Sequence, residues 1–136
     1  MSPWVLLTGT DGSMTSNDLN DIIGTQALND WGRQVLEGVS DSKQRVYMEP
    51  IRAPEPWFAA LETVVDRVLI TTGKAECMRD TAELLAGRIV GAHAGATFWA
   101  QEGGVHTDPF FDFLTEEARV GKMTPRIVEW FASGFV

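Results

Sequence analysis

Few of the 136 residues carry side chains that can move a proton near neutral pH: two histidines, one cysteine and 19 carboxylates, set against 11 basic residues. Those with suggestive neighbours fall in two short loops. The first follows the apolar run at 67–73 and presents Lys74, Glu76, Cys77 and Asp80. The second, Gly103-Gly104-Val105-His106-Thr107-Asp108, follows the run at 96–100 and presents His106 and Asp108, with Glu102 just before it. If the two runs are adjacent parallel strands, Glu76 and His106 meet across 30 positions of sequence. A carboxylate beside an imidazole fixes its tautomer, orients the ring and stabilises the imidazolium formed when the ring takes a proton. A plainer reading stays open beside this one. Glu76 and Asp80 suit the start of a helix, where the backbone dipole favours negative charge. Asp108 suits an N-cap ahead of Pro109, and His106 suits a hydrogen-bonded loop histidine. Cys77 adjoins Glu76, whose charge disfavours a thiolate, so it makes a poor nucleophile. His93 falls in a turn at the opposite end of the expected sheet and is expected to be solvated.

The elements that must position these residues follow from periodicity. Residues 67–73 are β-rich with little alternation, as in a strand covered on both faces of a parallel sheet. Ala82, Leu85, Ala86, Ile89 and Val90 make a helical stripe over 80–90. Residues 96–100 predict a second strand, and 110–114 a short apolar turn. Thr124-Pro125 caps a last helix with Ile127, Val128, Phe131 and Phe135 on its face. Upstream, Trp4-Val5-Leu6-Leu7 predicts a further buried strand, and 9–20 a polar loop. Helices are expected at 18–23 and at 25–36, the latter with Leu28, Trp31, Val35 and Leu36 on one face. Residues 40–45 read as loop. Pro50, Pro54 and Pro56 predict an extended, irregular stretch leading to a proline-led helical turn at 56–61. The order predicts an α/β fold of about three parallel strands with flanking helices, the strand at 67–72 in the middle.

Length and composition suit one domain spanning 1–136. With 44% apolar and 22% charged residues the chain is not disordered in bulk, and a net charge of −8 repels phosphate backbones, which argues against nucleic-acid partners. No apolar run is long enough to span a bilayer. A single cysteine and the lack of a basic region before the first apolar stretch point to the cytoplasm.

Several motifs, in order, resemble the C-terminal half of an α/β-hydrolase of the hormone-sensitive-lipase-like esterase group, fungal type. Ser2-Pro3-Trp4-Val5 is similar to that family's sixth strand and the turn after it. Residues 17–21 and 28–31 are similar to the helical insert that follows, and Ala53-Pro54 with Trp57 and Leu61 to the approach to the seventh strand. Leu69 to Asp80 resembles the seventh-strand motif, a carboxylate followed by two residues and then Arg79-Asp80. Gly103-Gly104-Val105-His106 resembles the loop that bears the triad histidine. The resemblance implies a partial α/β-hydrolase fold, with Glu76 as triad acid (aspartate is usual there) and His106 as base. It implies that Asp80 caps the helix it opens, and that small to medium apolar acyl esters are the substrates, in secondary metabolism among fungal relatives. No cofactor is expected.

The sequence departs from the family in lacking a Gly-x-Ser-x-Gly elbow and a His-Gly-Gly oxyanion motif. Ser13 and Ser133 do not sit in a strand-to-helix elbow. Acid and base are present while nucleophile and oxyanion donors are not, so the chain is expected to be inactive alone. Three functions follow. The chain belongs to an ester hydrolase completed by an N-terminal half. Alternatively it is a non-catalytic remnant or partner-binding subunit, including a homodimer. In the third, Glu76 and His106 do acid–base work in an isomerase, dehydratase or cyclase whose pocket uses Trp57, Phe58, Trp99, Phe110 and Phe111.

Overall fold

A computed structural model describes residues 2–10, 12–115 and 121–134. Two strands, β1 (Val68–Gly73) and β2 (Ala96–Gln101), pair in parallel, Val68 opposite Ala96 and Gly73 opposite Gln101. The helices are α1 (Gly12–Ser16), α2 (Thr25–Glu37), α3 (Ser42–Met48), α4 (Arg79–Ala92), α5 (Asp108–Leu114) and α6 (Met123–Ala132). Three single 3₁₀ turns bridge α3 to β1, beginning at Pro50, Glu55 and Leu61.

Side chains alternate across a strand, and the two faces of this sheet differ. Val68, Ile70, Ala96 and Phe98 pack toward Leu85, Ala86 and Ile89 of α4, joined by Val5, Ala53 and Phe58. Arg88 ties the proline-rich approach to this layer by donating to the carbonyls of Ile51 (2.6 Å) and Ala53 (3.0 Å). On the other face Leu69, Thr71, Thr97 and Trp99 look across a groove of about 460 Å³ at Arg126, Glu129 and Trp130 of α6. A second apolar cluster of Met14, Leu28, Cys77 and Met78 joins α1 and α2 to the start of α4.

The expected strand at Trp4–Leu7 does not form, so the sheet has two strands among the described residues and β1 is not flanked on both sides. The reason lies in what satisfies that backbone. The Leu7 amide donates to the buried Glu49 carboxylate at 3.0 Å. The Asn29 side chain takes both the Gly9 amide (2.9 Å) and its carbonyl (3.1 Å). Helix α2 presses its backbone onto the segment at Gly32, where a Cβ would stand 1.7 Å from the Leu7 carbonyl oxygen. Side chains and a helix thus do the work of a ladder.

Other boundaries also differ. The helix expected at 18–23 is a turn, and a short helix at 12–16 replaces part of the expected loop. The loop at 40–45 becomes α3, because the Asp41 carboxylate accepts the Lys43 amide at 2.8 Å as an N-cap. On α2 only Leu28 of the apolar stripe is fully buried, while Trp31 and Val35 are exposed. The stripe on α4 is buried as expected except at Val90. Phe135, expected on the last helix, lies outside the described residues.

Candidate active site

Glu76 and His106 stand in the loops that leave the carboxyl ends of β1 and β2. Those loops touch at the backbone: a Cβ on Gly73 would lie 2.1 Å from the Gly104 carbonyl oxygen. Only glycine at that position lets the loops close. The Lys74 amide donates to the Gln101 carbonyl (2.8 Å) and the Ala75 amide to the Gly104 carbonyl (2.9 Å), carrying the parallel pairing past the last strand residues.

Glu76 is 1% exposed. Its Oε1 accepts the Gly73 amide at 2.6 Å, and its Oε2 accepts the Ser2 hydroxyl and faces His106 Nδ1 at 3.3 Å. Such a carboxylate can be buried because each oxygen meets a donor. The contact selects the tautomer with the proton on Nδ1. Nε2 is then the acceptor, and it makes no hydrogen bond among the described residues. This orientation equips the ring to take a proton at Nε2 while Glu76 stabilises the resulting charge. Ser2 bonds to the acid rather than to Nε2, so it holds the carboxylate and is not placed as a nucleophile.

The backbone around His106 is unusual. Thr107 adopts the left-handed conformation at φ 58°, as does Gly103 at φ 68°. For a β-branched residue this is strained. Helix α5 starts directly after it, anchored by Gln101: its Nε2 donates to Asp108, and its Oε1 accepts the Met123 amide of α6 at 2.6 Å. Asp108 is thus in the first helical turn, with Thr107 at the N-cap position.

The polar residues between α1 and α2, for which the sequence predicts loop at Asn17 and helix at Asp21, reach both loops. The Asn17 side-chain amide donates to the carbonyls of Glu76 (2.8 Å) and Lys74 (3.1 Å). The Asp21 carboxylate accepts the amides of Cys77 (2.8 Å) and His106 (2.9 Å). Neither contact, nor that of Ser2, has a local signature, because each partner is more than 50 residues away. Asp80 does not cap its own helix. Its Oδ2 accepts the Ser13 amide at 2.9 Å and Arg79 donates to its Oδ1, so it holds the start of α1.

The remaining candidates lie apart from the pair. Ser13 is fully buried, donating to the Cys77 carbonyl at 2.6 Å and accepting the Asp80 amide at 3.1 Å. Cys77 is sealed in the second core cluster. His93 is 3% exposed, not solvated: Nδ1 accepts the Gly95 amide (2.9 Å), which leaves Nε2 to donate to the Val65 carbonyl (2.8 Å). Lys74 and Glu102 pair with each other at the surface. Phe58 is core and Trp57 stacks edge-on against it, while Trp99 lines the sheet-face groove.

The cleft beside the pair is small, about 80 Å³, and is lined by Ser2, Thr71, Glu76, His106, Pro109 and Met123 among others. Thr71 also borders the larger groove, and its buried hydroxyl has no hydrogen-bond partner among the described residues. No helix among the described residues is long and apolar enough to cross a membrane. No protein-family model, curated protein or solved structure matches the chain.

Proposed function

We propose that this chain is of α/β-hydrolase lineage and supplies the acid, Glu76, and the base, His106, of a carboxylic-ester hydrolase acting on small to medium apolar acyl esters. The observation that supports this is a buried, doubly held carboxylate against Nδ1 of a histidine whose Nε2 is unengaged among the described residues, at the carboxyl ends of two parallel strands. Sites of open α/β sheets lie at that edge. In acyl transfer Nε2 takes the proton of an attacking hydroxyl as oxygen bonds to the ester carbonyl carbon. The imidazolium then gives that proton to the departing alkoxide, and water repeats the cycle on the acyl-enzyme. No described serine is placed to attack, and a cleft of about 80 Å³ is well below the roughly 300 Å³ at which ligand pockets begin. Nucleophile, oxyanion donors and the rest of the pocket therefore come from a complementing N-terminal hydrolase half.

The test is hydrolysis of p-nitrophenyl butyrate, with a fluorophosphonate to label reactive serines. The chain alone should neither turn over nor label stoichiometrically. Joined to a hydrolase half bearing a Gly-x-Ser-x-Gly elbow, it should turn over, and His106→Ala should cost about 10⁴-fold or more. A folded, joined protein with no such activity would count against acyl transfer. Turnover by the chain alone that is lost on His106→Ala would place the nucleophile within it.

A second reading has one observation in its favour. The groove of about 460 Å³ meets the cleft at Thr71, so an apolar substrate lying there would reach toward the pair without any nucleophile. Acid–base turnover with no serine labelling would select it.

A further inference from the structure

The acid and base loops leave different strands, and the glycine contact at Gly73 and Gly104 joins only their roots. Beyond Gly104 the base loop turns through a strained Thr107. Strained backbone persists only where its surroundings over-determine it. The Asp21 carboxylate supplies such a restraint. Its Oδ1 accepts the His106 amide at 2.9 Å and also the Ile22 amide at 2.8 Å, while Oδ2 accepts the Cys77 amide at 2.8 Å. One side chain is thus bonded to the base residue itself and to the neighbour of the acid. Asn17, four residues earlier, holds the Glu76 carbonyl.

We infer that Asp21 is a positioning residue that locks the two loops into one unit and so sets the Glu76–His106 contact before any substrate or partner binds. Its reach to both loops depends on carrying two acceptor oxygens. Aspartate has them, whereas asparagine has one acceptor and one donor. Asp18 serves as the comparison, since among the described residues its carboxylate accepts the Thr25 amide and no amide of either loop.

The inference rests on the acid–base reading of the pair, but its test reads the pair rather than ester turnover. Proton NMR of the full chain should show a low-field resonance from the His106 Nδ1 proton, removed by Glu76→Gln, which assigns it. Asp21→Asn should remove it too and speed amide exchange at Cys77 or His106 by about tenfold or more, the loss of one charge-assisted hydrogen bond. Asp18→Asn should do neither. An Asp21→Asn chain that keeps the resonance and both protected amides overturns the inference, as does a wild-type chain with no such resonance. If Asp21→Asn does not fold, native-state exchange of the unsubstituted chain in dilute denaturant decides. The Cys77 and His106 amides should open in one step with one denaturant dependence, and independent opening overturns the inference. Failure of ester hydrolysis leaves all these signals in place, so the two proposals fail separately.

Discussion

Glu76 is held by a backbone amide, a hydroxyl and an imidazole, all donating toward it. A carboxamide there must turn its own NH₂ toward one of those donors. Glu76→Gln should therefore cost about 1–3 kcal/mol of stability, although it keeps the side chain's shape. Urea unfolding reads this directly, and an unmoved midpoint would mean that the donors do not converge as described. Thr71 presents the opposite case. Its hydroxyl is fully buried and has no partner among the described residues, so Thr71→Val removes a desolvated polar atom at almost constant volume. It should raise stability by about 1 kcal/mol, and a loss of that size would reveal a partner for the hydroxyl. His93 shows how far a local reading carries a single residue. Its place at the far end of the sheet follows from chain order. Its burial does not, because that depends on the Val65 carbonyl, 28 residues earlier, meeting its Nε2.

Elements with their own periodicity are legible: β1, α2, α4, β2 and α6 lie within a few residues of where apolar spacing places them, and the apolar turn expected at 110–114 is helix α5. The segment at 4–7 forms no strand, because an apolar run predicts burial, not a ladder. Val5 and Leu7 are indeed buried, but Val5 packs into the core beside β1 and α4, and the backbone at 7–9 is met by Glu49, Asn29 and the bare backbone of α2 at Gly32. Helix α1 has no local signature for a related reason, since Asp80 from another helix satisfies its first turn. The pairing of Glu76 with His106 follows from strand order, whereas nothing in the local sequence marks Ser2, Asn17 or Asp21 until the fold brings them in. The loop contact at Gly73 is a property of both strands together. Gly73→Ala places a methyl 2.1 Å from a carbonyl oxygen, so the loops must part. Destabilisation of about 3 kcal/mol is expected, with loss of the low-field His106 resonance. A well-folded alanine variant that retains that resonance would remove the contact from the explanation of the site.

Across the whole molecule, apolar surface is spread widely. Phe113 is 72% and Leu114 74% exposed on α5, Val128 and Phe131 are exposed on α6, and Trp31 is half exposed on α2. Soluble monomers rarely leave large contiguous apolar patches in water, and a net charge of −8 keeps the chain dispersed without covering them. The isolated chain is expected to sediment above 15.0 kDa as a dimer, or to bind a complementing hydrolase half. A sharp 15.0 kDa species with cooperative melting would show that this surface is tolerated as it stands. The packing around Cys77 has a practical consequence. The chain's single thiol lies next to Glu76 and beneath α1 and α2, at 0% exposure. A thiol reagent can reach it only when the layer over the acid loop lifts away. The rate of its alkylation in native buffer therefore clocks that opening, turning an inert core atom into a built-in gauge of how often the site comes apart.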